Sequence, residues 1–199
     1  MGNFLPPKLP TIKNFGTTLL ELLVAMLVTG ALFMLAIPAM QTWVEKTKVD
    51  KEVDLFVSQL ALARHTAISK GIHVSMCPLD QQAPNRCGKR NTWHLGTLIF
   101  EDLNANQKVD SKDVILQRSS PLAASEVFWR AFRNRSYLVF TPWGLTEWQN
   151  GHFLFCPQSS DNPQLARALT LNHAGRTYRS KDRNDDGIHE NRRGKNLEC

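Results

Sequence analysis

A single apolar run, Thr18–Met40 (TLLELLVAMLVTGALFMLAIPAM), has a carboxylate inside it. At ~1.5 Å of rise per residue, a helix of this run spans a hydrocarbon core of ~30 Å. The segment before it, MGNFLPPKLPTIKNFG, carries Lys8 and Lys13 and no acid. Positive charge ahead of an apolar run keeps that end in the cytoplasm. The cationic leader ends in Gly16 directly at the edge of the run, whereas the cleavage site of a secretory signal peptide lies beyond its apolar stretch. Glu21 sits within the run, where an unpaired carboxylate costs roughly 2.5–3.5 kcal/mol, so a functional partner is expected for it. Pro38 interrupts the run late, removing a helical hydrogen bond and inviting a kink.

Beyond Pro38 the pattern changes character without a stop signal. Val49, Val53, Phe56, Leu60, Ala63 and Ala67 recur at three- and four-residue steps, with Lys46, Lys48, Asp50, Lys51 and Glu52 on other faces. Lys70-Gly71 reads as a helix end. One helix over 17–71 is predicted, apolar over 18–40 and amphipathic over 41–71, its second half packed on a sheet.

From Ile72 the chain turns to short runs rich in β-branched and aromatic residues. Candidate strands are Ile72–Cys77, Trp93–Glu101, Val114–Ser119, Glu126–Phe132, Tyr137–Thr141, His152–Cys156 and Ala168–Asn172. Pro142-Trp143-Gly144 and Asn150-Gly151 are turn-formers between them. Short connections favour antiparallel pairing, so the predicted class is α+β: a long N-terminal helix on one face of an antiparallel β-sheet head over 72–199.

A mean hydropathy of -0.30 excludes a polytopic membrane protein. The net charge of +6 favours anionic partners such as nucleic acid or lipid headgroups. Cys77, Cys87, Cys156 and Cys199 form no CxxC pair and stand at no zinc-finger spacing from a histidine. Outside the cytoplasm two disulfides are the default, and four cysteines allow three connectivities.

The stretch Gly16-Thr17-Thr18-Leu19-Leu20-Glu21-Leu22-Leu23-Val24 resembles the type IV prepilin family, which includes minor pilins and the pseudopilins of type II secretion. Glu21 lies five residues past Gly16 and Pro38 twenty-two past it, where the family places them. The resemblance implies a leader over 1–16, cleavage after Gly16 by prepilin peptidase and N-methylation at Thr17. The family usually carries Phe where this chain has Thr17. It further implies that Glu21 pairs with the terminal amine of a neighbouring pilin subunit, each buried charge neutralising the other. Localisation follows: inner membrane with a periplasmic head, then a filament at the cell surface.

In the head, the resemblance narrows to the FimT/GspH-type branch through three stretches. These are Val74-Ser75-Met76-Cys77-Pro78 leading to Cys87, Trp93–Asp102, and the Asn/Asp loop before Val114-Ile115-Leu116. Cys77 and Cys87 flank a loop that can close a local disulfide. Cys156 and Cys199 can then tie the tail to the last strands, the favoured pairing among the three. The segment after Asn172 is polar, with too few apolar residues to pack, and would fray without such a tether.

The tail, residues 173–199, carries Arg176, Arg179, Lys181, Arg183, Arg192, Arg193 and Lys195. Arginine forks and lysine point charges suit phosphate oxygens, and their binding to DNA is sequence-independent and salt-sensitive. Tyr178 adds a base-stacking surface. Some FimT-type members bind DNA through a basic tail bearing Gly-Arg-x-Arg. Gly175-Arg176 matches that motif, whereas Arg179 falls one position late, which in an extended segment turns it to the opposite face. Asp182, Asp185, Asp186 and Glu190 dilute the positive field.

Two loops, Asp102-x-Asn104-x-Asn106 and Asp182-x-Asn184-x-Asp186-Gly187, begin like calcium loops. The first has Gln107 in place of the turn glycine and the second has Arg193 in place of the closing Glu, so Asx turns explain both more simply and no metal or cofactor is expected. No Walker loop, HExxH or nucleophile elbow is present, and His73, His94, His152, His173 and His189 are scattered. The chain reads as a substrate of an enzyme rather than an enzyme. Two functions follow: a minor pilin whose tail captures extracellular DNA for natural transformation, or a structural subunit, either a pilus-priming minor pilin or a GspH-like pseudopilin of type II secretion.

Overall fold

The apolar period of residues 49–67 is fulfilled in a computed structural model that describes residues 18–131, 135–158 and 162–199. Within α1 the side chains at positions 35, 36, 38 and 39 are not among those described. The expected cleavage and methylation sites, Gly16 and Thr17, lie outside the described residues, as does the Pro38 side chain. Helix α1 runs from Leu19 to Lys70, through position 38, and stops before Gly71. The Thr18 hydroxyl accepts the Glu21 backbone N–H at 3.3 Å, capping the first turn.

The chain divides into two units, Met1–Thr42 and Trp43–Cys199. In the first, Leu19, Leu20, Leu27, Phe33, Met34 and Met40 are among many exposed large apolar side chains. Among the described residues no helix is long and apolar enough to cross a membrane. The expected span over 18–40 includes the four positions without described side chains.

The second unit is a two-sheet head. Strands β1 (Val74–Pro78), β2 (Thr97–Glu101), β3 (Ile115–Arg118) and β5 (Leu138–Phe140) form one sheet in the order β3-β2-β1-β5. Strands β4 (Ser125–Ala131), β6 (Gly151–Pro157), β7 (Arg167–Leu171) and β8 (Thr177–Arg179) form the other, in the order β4-β6-β7-β8. Every pairing is antiparallel. Val49, Val53, Phe56, Leu60, Ala63 and Ala67 of α1 are all buried. They share one core with Val74, Met76 and Phe140 of the first sheet and Trp129, Phe153 and Leu169 of the second. Phe56 meets Phe153 and Phe155 edge-on, with centroids 5.2 and 5.1 Å away.

Three sequence expectations are corrected. Residues Trp93–Leu95 are a 3-10 helix, so the strand begins only at Thr97. Gly96 makes the break: its φ is +118°, and a Cβ there would lie 2.6 Å from the Ser119 carbonyl oxygen. The indole of Trp93 turns inward and lies 5.0 Å from Phe153. The tail contributes a strand, β8, which its polarity hid. It also packs: Leu197 is buried with Leu154, Cys156, Ala166 and Ala168 on the outer face of the second sheet. The sheets themselves are two, not one.

Candidate nucleic-acid interface

The outer face of the second sheet is built by register. Leu169 and Leu171 of β7 point to the core, so their neighbour Thr170 points away. Pairing sets Arg130, His152, Thr170 and Tyr178 opposite one another in a row across β4, β6, β7 and β8. Burial holds the His152 imidazole below its ordinary pKa of 6.5, and the charge of Arg130 adds to that.

The tail folds back over this face. The disulfides are Cys77–Cys87 and Cys156–Cys199, the favoured pairing. Bridges join Lys181 to Glu190 and Glu190 to Asn196, and Leu197 N–H donates to the His189 carbonyl at 2.8 Å. Between them residues 191–195 form a turn in which the Asn191 Oδ1 accepts the N–H groups of Arg193 and Lys195 at 2.8 and 3.2 Å. Arg192 and Arg193 therefore project from a turn fixed by its own side chain.

Asn191, Arg192 and Arg193 line a groove together with Gly151, His152 and Thr170. Lys181, Arg183 and Arg192 converge on the adjoining surface around Tyr178. The guanidinium carbon of Arg192 lies 5.2 Å from the Tyr178 ring centroid. Arg176 and Lys195 are exposed, each on a turn of its own, 172–176 and 191–195. Among the described residues, no carboxylate lies within ion-pair distance of Arg176, Lys181, Arg183, Arg192, Arg193 or Lys195.

Arg179 is placed differently. It is opposite Leu169, on the helix side of the sheet, and its guanidinium pairs with Asp54 of α1. Arg167, not singled out in the sequence, pairs with Asp50 one helical turn earlier at 2.8 Å and also donates to the carbonyls of Gln164 and Ala166. Gly175-Arg176 forms the turn into β8. Gly175 has φ +70°, and a Cβ there would lie 2.3 Å from the Gly144 carbonyl oxygen.

Asp182, Asp186 and Glu190 of the tail accept local hydrogen bonds. Asp182 accepts Gly187 N–H at 2.8 Å, and Asn184 accepts Asp186 N–H at 3.1 Å. Asp186 takes hydrogen bonds from Asn196 and Ile188, the first the larger cause of its lowered pKa. In the other loop, buried Asp102 accepts the Ser75 hydroxyl at 2.6 Å and the N–H groups of Asn106 and Gln107. Both are Asx turns as expected. Glu21 is exposed on α1.

Sequence reasoning missed His152, Thr170, His173 and Trp148 at this surface. An indole next to the Asn150-Gly151 turn was the available signal, since large aromatics seldom occupy turns without a reason.

No curated protein matches the chain by sequence. A crystal structure of the type IV minor pilin FimU of Pseudomonas aeruginosa (strain PAO1) matches over 67% of this chain and 89% of its own, with a TM-score of 0.50 and 18% identity. The minor pseudopilin EpsH of the type 2 secretion system of Vibrio cholerae is 10% identical and covers 66% of this chain and 95% of its own, with a TM-score of 0.47. The FimU likeness shows the fold: a helix on antiparallel sheet, as in pilins. The family model for the type II transport protein GspH matches residues 52–175, more than half of the chain. This protein belongs to the GspH family, among the minor pilins and pseudopilins of the GspH/FimT type.

Proposed function

We propose that this protein is a minor pilin that is assembled into a pilus and binds extracellular DNA through the outer face of its C-terminal sheet, for uptake in natural transformation. The observation that carries this is the group of six exposed cations, Arg176, Lys181, Arg183, Arg192, Arg193 and Lys195, which have no ion-pair partner among the described residues. An unpaired cation keeps its counterion demand for a phosphate, and several within one surface act together. Arg179, tied to Asp54, is the weakest contributor.

Assembly is proposed through the N-terminal unit. Prepilin peptidase cleaves after Gly16, Thr17 is methylated, and Glu21 meets the new terminus of a neighbouring subunit. The exposed apolar side chains from Leu19 to Met40 need a cover, supplied by the inner membrane before assembly and by other pilin subunits afterwards. Pro38 adapts the helix to that packing. The protein itself is not an enzyme.

A second reading is supported by the family description, which names type II transport: a structural pseudopilin or pilus-priming subunit without DNA binding. Single-stranded and duplex DNA, each titrated against the full-length chain in detergent at several salt concentrations, separate the two. DNA capture requires a steep loss of affinity with salt, with a slope about two units shallower in an Arg192→Ala/Arg193→Ala variant. No binding at low salt, with both disulfides intact, leaves the structural subunit.

A further inference from the structure

Stacked on a residue that lines the groove is an aromatic group that phosphate binding does not explain. Trp148 is 71% exposed and lies against His173, with ring centroids 5.3 Å apart and 30° between the planes. His173 lines the same groove as Arg192 and Arg193. Trp148 also has a positive φ of 58°, a backbone region that a bulky side chain seldom adopts. The strain is held by its neighbour: Gln149 is buried, and its Oε1 accepts the Val139 N–H at 2.7 Å. A strained backbone that presents a large apolar ring to water gains nothing from core packing, and such positions cluster at binding sites.

We propose that the groove takes single-stranded DNA in preference to duplex, with a nucleobase stacked on Trp148 and the backbone phosphates held by Arg192 and Arg193. This rests on the DNA-binding reading above and specifies the form of DNA. In a duplex the base faces are already stacked and only edges and phosphates are presented, so an indole has nothing to stack on. A single strand offers every base face, whatever the sequence. The cations complement its phosphates, and Tyr178 holds the Arg192 guanidinium over its ring, so less freedom is lost when a phosphate arrives.

The test uses the full-length chain in detergent at one low salt concentration and three probes of equal length: oligothymidine, a strand with the same phosphates but abasic sugars, and a duplex. Oligothymidine is expected to bind about tenfold more tightly than the abasic strand, the scale of one stacked base. Trp148→Ala should reduce oligothymidine affinity to the abasic level and leave abasic binding unchanged, while Trp148→Phe retains most of the preference. Equal binding of all three probes, unaltered by Trp148→Ala, overturns the single-strand proposal and leaves DNA capture standing. Tighter binding of the duplex overturns it as well. Failure of every probe to bind removes both.

Discussion

The guanidinium of Arg179 on β8 is paired with the carboxylate of Asp54 on α1, which places the second arginine of the tail's Gly-Arg element against the helix rather than on the outer face. Arg167 and Asp50 repeat this contact one turn earlier, at 2.8 Å and in a more buried setting. Both groups of the Arg179–Asp54 pair are about half exposed, so Asp54→Ala should change stability by less than about 1 kcal/mol. Because Arg179 lies on the helix side of the sheet, removing that carboxylate should leave DNA affinity near the parent value. Asp50→Ala should be costlier, at about 2 kcal/mol, because it takes a charged hydrogen bond from a buried arginine. Urea melts of the two variants check the order; equal losses would refute it.

Gly175→Ala tests what the glycine before Arg176 does. Its positive φ and the Gly144 carbonyl oxygen, 2.3 Å from where a Cβ would stand, leave no room for a methyl group, and Arg64 Nε is only 2.8 Å away. A loss of about 3 kcal/mol is expected from strain plus overpacking. DNA affinity per folded molecule should stay near the parent value if the glycine serves only the turn. A variant as stable as the parent would contradict this geometry.

The two disulfides should separate stability from binding. Cys156–Cys199 closes a separation of 43 residues and Cys77–Cys87 one of 10. Loop-closure entropy assigns about 4 kcal/mol to the longer and about 3 kcal/mol to the shorter. Cys199→Ser with Cys156→Ser should also release Leu197 from the outer face and loosen the turn bearing Arg192 and Arg193, weakening DNA binding. Cys77→Ser with Cys87→Ser should leave binding intact. Thermal melts and affinity at fixed salt provide both readouts, and equal effects on binding would argue against a surface organised by the tail.

Acid should destabilise the head through two histidines. His152 is held below its ordinary pKa of 6.5 by burial and then by Arg130. His189 is lowered by burial and then by Arg167. In the unfolded chain each takes up its proton near the ordinary value, while the fold resists it. Below about pH 6.5 the unfolded state therefore binds more protons, and stability present above that pH is lost as pH falls. The Tm should drop between pH 7.5 and pH 5, and His152→Asn should lessen the drop. An undiminished drop in that variant would exclude His152 as a contributor.

Much of the fold is legible in the residues because its signals are local. The period of Val49 to Ala67 marks a helix face whatever it packs against, and alternation and turn-formers locate seven of the eight strands among the described residues. Strand β8 escapes because Thr177-Tyr178-Arg179 has no apolar alternation: it is an edge strand, exposed along its length apart from half-buried Thr177. Trp93 reads as strand by composition, yet Gly96 breaks the extended chain after it.

The sequence alone determines the apolar N-terminal run with its acid, the amphipathic second half of the helix, the even cysteine count and the supply of cations in the tail. These follow from composition and from periods of a few residues, which need no knowledge of distant partners. Tertiary structure decides which cations stand free. Arg179 and Arg192 are chemically alike, but strand register turns one to Asp54 and a turn capped by Asn191 sets the other over Tyr178. Register depends on pairings between residues far apart in the chain, and shifting it by one residue exchanges the two faces of a strand.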